Sequence, residues 1–316
     1  MVALRGVQCT PLRAQVHCTF GLLEYKANSN RNADHVPANM RFKFVDDLST
    51  LEKLNLILAG LTSYNFRNHV ASDIGIDQKY LPSENILSQQ YLNRIETWTD
   101  DMQMKLNVKK SKVMMFNFTE DFQFSTRLYL ENTLLEIITE TKLLGTIITS
   151  DLKWSKNTEM LVKKGYQRMM ILRKLYSFKV EVCDLVEIYV LYIRSILEHS
   201  CQVWHFNITE EEAMDLERVQ KVALKIILQD DYIDYEHALE SLQLETLKVR
   251  RNNLCLKFAK KCVKHPKANE MFPLNTAVDC NTRDRETFYV QPARTNRLRD
   301  STIPQLQRAL NLDLKR

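Results

Sequence analysis

Along this chain the apolar positions change their rhythm, and the change divides the chain into two parts. Met40-Arg41-Phe42-Lys43-Phe44-Val45 alternates apolar and basic residues, the period of a half-buried strand. Asp46-Asp47 closes it with turn chemistry. Ser49 then stands as a cap before the apolar stretch 51–58, which reads either as a returning strand or as a short helix. Pro82-Ser83 signals a helix start, and Tyr91, Ile95, Trp98 and Met102 follow at the spacing of one amphipathic face. Strands are expected over residues 113–118 and 143–148. Between them, Leu128-Tyr129-Leu130 and Leu134-Leu135 with Ile137-Ile138 flank Glu131-Asn132, which reads as a hairpin.

Beyond residue 155 the period becomes helical. Val162, Tyr166, Met169 and Leu172 form one stripe. Leu185, Ile188, Tyr189, Tyr192 and Ile196 form another, in a segment apolar nearly all round and therefore expected to be buried. Thr209-Glu210-Glu211-Glu212 is a capping box ahead of the stripe Leu216, Val219, Ala223, Ile226. A last helix is expected over residues 235–263, ended by His265-Pro266, with a loop-rich, arginine-rich remainder. Four segments emerge from this pattern: a poorly defined 1–39 with a polar, Asn-rich loop at 26–34, a mixed part 40–154, a helical part 155–268 and a basic tail 269–316.

Composition narrows the class. Only six glycines and seven prolines in 316 residues favour long helices over a turn-rich sandwich. Seven scattered cysteines fit a reduced intracellular protein better than a disulfide scaffold. No apolar run is long enough to span a bilayer, and residues 1–13 lack the apolar core of a secretory leader. The net charge of +5 permits a nucleic-acid partner and does not require one.

A strand that ends in two carboxylates at a tight turn has the chemistry to hold Mg²⁺ at a nucleotide's phosphates. Taken alone, Phe44-Val45-Asp46-Asp47 is a weak signal, since Asp pairs are common turn formers. The ordered series downstream of it is more specific: Trp98, then Lys105-Leu106-Asn107-Val108-Lys109-Lys110, then Leu143-Leu144-Gly145-Thr146 with Trp154 beyond. This series resembles the palm of reverse transcriptases of the non-LTR (LINE-type) retrotransposon class. There a metal-binding aromatic-x-Asp-Asp turn precedes a helix, a Leu-Asn-x-x-Lys strand entry and a Leu-Gly hairpin that grips the primer. Tyr192-Ile193-Arg194-Ser195 through His199, Val203-Trp204, residues 216–223, and the arginine-rich 293–299 through Ile303-Pro304 are similar to the region after that palm.

The resemblance implies an α+β fold: a partial palm, an antiparallel sheet with its helix, followed by a helical thumb-like region. It implies RNA template, DNA primer and dNTP as partners and Mg²⁺ as cofactor. Asp46 would be a metal ligand with Asp47 beside it, Lys110 would lie near the departing pyrophosphate, and Leu144 and Gly145 would approach the primer backbone. Lys163, Lys164, Arg168, Arg173 and Lys174 would track nucleic acid as thumb helices do, or form a solvated helix face. Read without the resemblance, Lys109, Lys110 and Lys112 are a solvated basic strand end.

One part of the pattern is missing. The family's other metal-binding aspartate stands on an upstream strand, and among the 45 residues before Asp46 the sole aspartate is Asp34. Gly6-Val7-Gln8 is a poor echo of the family's intervening segment. Two nearby Mg²⁺ ions repel and need carboxylates from both strands, so polymerisation by this chain alone is not expected. A non-catalytic nucleic-acid-binding remnant and a decaying insertion product remain the other readings. Cys255, Cys262 and His265, with Cys280, do not have zinc-finger spacing, so buried packing is expected of Cys255 and Cys262. The same expectation holds for His199, Cys201 and His205.

Overall fold

The computed structural model describes residues 2–3, 7–8, 84–101, 105–114, 127–266, 268–275, 287–293 and 295–315. Within them the protein is mixed helix and strand, mostly helical with small sheets, as an α+β reading requires. Residues 40–58, with Asp46 and Asp47, lie outside the described residues. The chain divides into two compact units. The first takes in the described residues up to Thr141 together with Thr149–Leu152, and the second takes in Lys142–Ile148 and everything from Lys153 onward.

In the first unit, helix α1 (Glu84–Asp101) begins directly after Pro82-Ser83. Ile95 of the expected stripe faces the core, joined by Leu92 one turn earlier and Thr99 one turn later. Four short strands, β1 (Val2–Ala3), β2 (Val7–Gln8), β3 (Lys105–Leu106) and β4 (Lys112–Met114), precede the hairpin of β5 (Tyr129–Leu130) and β6 (Thr133–Leu134). Glu131 and Asn132 form its turn at φ 46° and 58°, the mirror-image turn whose twist matches paired strands. β7 (Glu136–Ile138) completes a sheet of order β1-β4-β7.

That sheet is mixed rather than antiparallel throughout. β1 runs antiparallel to β4, but β7 runs parallel to β4, with Val113 opposite Ile137. Parallel neighbours need a connection of about a dozen residues or more, and residues 115–135, carrying the β5–β6 hairpin, provide one. Leu92, Ile95, Leu106, Val113, Leu128, Leu130 and Leu135 make the core. Gln89 ties α1 to β5 as a strand would: its Oε1 accepts from the Tyr129 N–H and its Nε2 donates to the Tyr129 carbonyl, both at 2.8 Å.

The segment 143–148 is not one strand. It is the tip of a hairpin formed by β8 (Glu140–Leu143) and β9 (Thr146–Thr149), with Leu144 and Gly145 in the turn. Beyond it, helix α2 (Ser155–Ser177) buries Thr158, Leu161, Gly165, Met169 and Leu172. The stripe is therefore set from Leu161 and Gly165 rather than Val162 and Tyr166, and Tyr166 is exposed. Next come α3 (Val182–Ile188), a π-helical segment (Tyr189–Arg194), α4 (Ser195–Leu197), α5 (Cys201–Trp204) and a 3₁₀ turn (His205–Asn207). Leu185, Tyr189, Ile193 and Leu197 are buried, while Leu191 and Tyr192 are exposed, so this segment has an outer face and is not buried all round.

Helix α6 (Glu210–Leu228) starts at the Thr209–Glu212 capping box and buries the expected stripe Leu216, Val219, Ala223 and Ile226. It crosses α2 where Gly165 lies: a Cβ there would sit 2.7 Å from Val219 Cγ1. The single helix expected over 235–263 is two, α7 (Tyr235–Ser241) and α8 (Leu247–Lys264). Gln243 takes a left-handed backbone at φ 53°, and the Thr246 hydroxyl accepts from the Val249 N–H to start α8 afresh. As expected, α8 stops ahead of His265-Pro266.

The segment after α8 is not loop throughout. It holds the short α9 (Asn296–Arg299) and the helix α10 (Thr302–Leu314), which buries Ile303, Leu306 and Leu310. Its Thr302 hydroxyl donates to the Val203 carbonyl at 3.0 Å, and Asn311 clamps Phe288 through both backbone groups at 2.9 Å. Among the described residues no helix is long and apolar enough to cross a membrane.

Candidate nucleic-acid interface

Three short-range constraints position the β8–β9 turn within the second unit. Leu144 and Gly145 have φ of 44° and 93°, so both central residues are left-handed. Such a backbone is open to glycine and strained for leucine. The strain is held by contacts: the Leu144 carbonyl lies 3.0 Å from His199 Nε2, and Asn157 Oδ1 accepts the Ile147 N–H at 3.1 Å. Since a carbonyl only accepts, His199 carries its proton on Nε2 in this contact. A Cβ on Gly145 would lie 2.9 Å from that same nitrogen. The imidazole thus occupies the space a side chain would need, and glycine is required twice over.

The five basic residues of α2 do not form one surface. At about 100° per residue, Lys163 and Lys174 fall together opposite the buried stripe, Arg173 falls on one flank, and Lys164 and Arg168 share the other. Lys163, Arg173 and Lys174 are exposed, whereas Lys164 and Arg168 are half-buried. Burial is the largest influence on Lys164 and lowers its pKa, with the charges of Lys142 on β8 and Arg168 lowering it further. Arg168 is in turn oriented by Tyr192: its guanidinium lies 4.0 Å above the ring centre and donates to the Tyr192 carbonyl. The structure therefore brings Lys142, Lys164 and Arg168 into one cationic cluster. An anion bound there would relieve the mutual repulsion that depresses Lys164.

The remaining expected residues are less informative. Lys110 ends the 3₁₀ turn Val108–Lys110, and its side chain, like Asp46 and Asp47, lies outside the described residues. Arg294 and the Arg297 side chain do too, while Arg299 is paired with Asp300 through Nε and Nη2 at 3.0 Å. His205 does not share a site with His199. Its Nε2 meets Asn252 Oδ1 at 2.8 Å and its Nδ1 accepts from Arg251 Nε at 3.3 Å, which fixes a neutral ring. Burial lowers its pKa to about 4. Cys255 and Cys262 are buried on the inner face of α8, as packing residues are. Among the described residues no group of three or more His, Cys, Asp or Glu is placed to hold a metal ion.

Lys142, Asn157, Tyr192 and His199 were not distinguishable as site residues in the sequence. Each acts on a partner at least ten positions away, and nothing local announces the pairing. No protein-family model, no curated protein and no solved structure matches this chain.

Proposed function

We propose that this chain is the downstream part of an RNA-directed DNA polymerase of the non-LTR retrotransposon class, and that by itself it holds primer–template without extending it. The motif order from Phe44-Val45-Asp46-Asp47 through Leu144-Gly145 supports the class. The observation that carries the binding reading is the Lys142–Lys164–Arg168 cluster, where, among the described residues, the charges of Lys142 and Arg168 both lower the pKa of a half-buried lysine. Phosphate oxygens are the natural complement to such a cluster. In this reading Asp46 and Asp47 would hold Mg²⁺ as one half of a two-metal site, and Lys110 would stand near pyrophosphate. The carboxylates of one turn are too few to offset two divalent ions, so nucleotide addition is not assigned to this chain alone.

The test is binding of a labelled RNA–DNA primer–template across a salt series, followed by addition of dNTPs and Mg²⁺. Binding by the wild type should weaken on Lys164→Gln with Arg168→Gln, and the dependence of log K on log salt should lose about one to two units of slope. Equal binding by the variant would remove the cluster from the interface. Extension that disappears with Asp46→Ala would replace the binding reading with a catalytic one. Absence of binding and of extension, with a broad unfolding curve, would favour a decayed insertion product.

A further inference from the structure

Lys142 on β8 meets α2 where Lys164 and Arg168 stand one helical turn apart on the same flank. Both sides of this cluster are fixed. The hairpin that carries Lys142 is held at its tip, with the Leu144 carbonyl 3.0 Å from His199 Nε2 and the Ile147 N–H donating to Asn157 Oδ1 at 3.1 Å. Arg168 is pinned by Tyr192, whose ring centre lies 4.0 Å below the guanidinium and whose carbonyl accepts from it. Lys164 is half-buried, while Lys142 and the adjacent Lys163 are exposed.

The amines of Lys142 and Lys164 lie within hydrogen-bonding reach of each other. An ammonium has donors and no acceptor, so two of them repel and cannot make this contact. The contact forms once one amine has given up its proton and offers a lone pair. Lys164 is the one to do so, because burial, the largest influence, lowers its pKa and the charges of Lys142 and Arg168 lower it further. A neutral lysine amine is a nucleophile. The electrophile that suits this one is set by what its adduct leaves beside the two cations. An acyl group leaves a neutral amide, which gains little from them. Carbon dioxide leaves an anion, which both cations stabilise, Arg168 through its planar fork of donors.

We propose that Lys164 is a carbon dioxide-binding residue, forming a carbamate that Lys142 and Arg168 hold in place. The Nζ lone pair attacks the carbon of carbon dioxide. An N–C bond forms as one C=O π pair moves onto oxygen, and the nitrogen gives up a proton to water. Nothing is oxidised or reduced, and the step reverses when carbon dioxide is withdrawn. The cluster thereby exchanges a repelled amine for an anion paired with two cations. Where the cluster meets phosphate oxygens, the carbamate weakens that contact, and this consequence alone rests on the nucleic-acid reading.

The folded full chain is equilibrated with isotope-labelled bicarbonate at neutral pH and treated with triethyloxonium ion, which traps a carbamate as its ethyl ester. Digestion and mass spectrometry then map the trapped group. The expected result is an ethoxycarbonyl group on Lys164 that carries the isotope, at severalfold the occupancy of exposed Lys163 beside it. Lys142→Gln and Arg168→Gln should each lower this label severalfold, whereas Lys163→Gln should leave it unchanged. A wild-type Lys164 without label would overturn the proposal, as would equal labelling of Lys163 and Lys164. So would a label that persists in full in both Lys142→Gln and Arg168→Gln. The wild-type map needs no variant to fold and no nucleic acid, so its failure is separate from that of the binding reading.

Discussion

Gly165 sits in the middle of a 23-residue helix, where glycine is a poor choice by local rules. Replacing it by alanine sets two effects against each other. Helix propensity favours alanine by about 1 kcal/mol. Against that, the new Cβ would lie 2.7 Å from Val219 Cγ1 and 3.3 Å from Leu197 Cδ2. The leucine tip yields by rotating, but the valine methyl is held close to its own buried backbone on α6, so α2 and α6 must separate. Overpacking of this kind costs roughly 1–3 kcal/mol. The net expectation is that Gly165→Ala destabilises the second unit by about 1 kcal/mol, a melting temperature lower by about 2–4 °C. Urea unfolding followed by helical circular dichroism reads the change. In a Val219→Ala background the obstruction is gone, and Gly165→Ala should then stabilise by about 1 kcal/mol, a coupling of about 2 kcal/mol. If Gly165→Ala stabilises the wild type, or costs the same in both backgrounds, close helix approach is not the reason for this glycine.

Two further outcomes are expected of the helical unit. His205 has its pKa depressed by burial from 6.5 to about 4, so between these values the unfolded chain binds the proton that the folded one refuses. The stability it contributes is complete above about pH 6.5 and is lost as the pH falls toward 4. The urea midpoint of the wild type should therefore drop more between pH 7 and pH 4.5 than that of His205→Gln, and equal drops would disprove the assignment. At the start of α6, Thr209 Oγ1 accepts the Glu212 N–H at 3.2 Å and Glu212 Oε2 accepts the Thr209 N–H at 2.8 Å. Thr209→Ala should cost about 1 kcal/mol and speed amide exchange in the first turn of the helix. An unchanged midpoint and unchanged exchange would show that solvent replaces the cap without loss.

Features decided within a few residues were legible in the sequence. The Thr209–Glu212 box, the stripe it precedes and the Glu131-Asn132 turn all depend on neighbours a turn or a residue apart, and all are in the structure. Elements that break a local habit were not legible. Leu144 accepts a left-handed backbone because His199 and Asn157 hold the hairpin, so the apolar pattern of 143–148 reads as one strand, and only the family resemblance points to a Leu-Gly hairpin there. Gln243 ends α7 without glycine or proline, and the break before Thr246 went unseen for that reason. The arginine-rich composition of the tail masks the helical spacing of Ile303, Leu306 and Leu310, the buried face of α10. At the candidate site, the sequence shows the basic residues of α2 but not their grouping. Lys164 and Arg168 join Lys142 from β8, while Lys163 and Lys174 point elsewhere, and only the packing of hairpin against helix sorts them.

The π-helical segment Tyr189–Arg194 has a bearing on how the chain tolerates changes of length. Leu185, Tyr189, Ile193 and Leu197 face inward at a strict interval of four. In a regular α-helix that interval overshoots a full turn by about 40° each time, and three steps would carry the last residue about 120° off the core. The wider winding absorbs the overshoot, so the helix accommodates one residue more than its inner face requires. Loss of an outward residue such as Leu191 would leave intervals of four, three and four, which an ordinary α-helix satisfies. Within these six positions a single-codon deletion therefore becomes a change of winding, with the inward-facing residues on either side kept in phase.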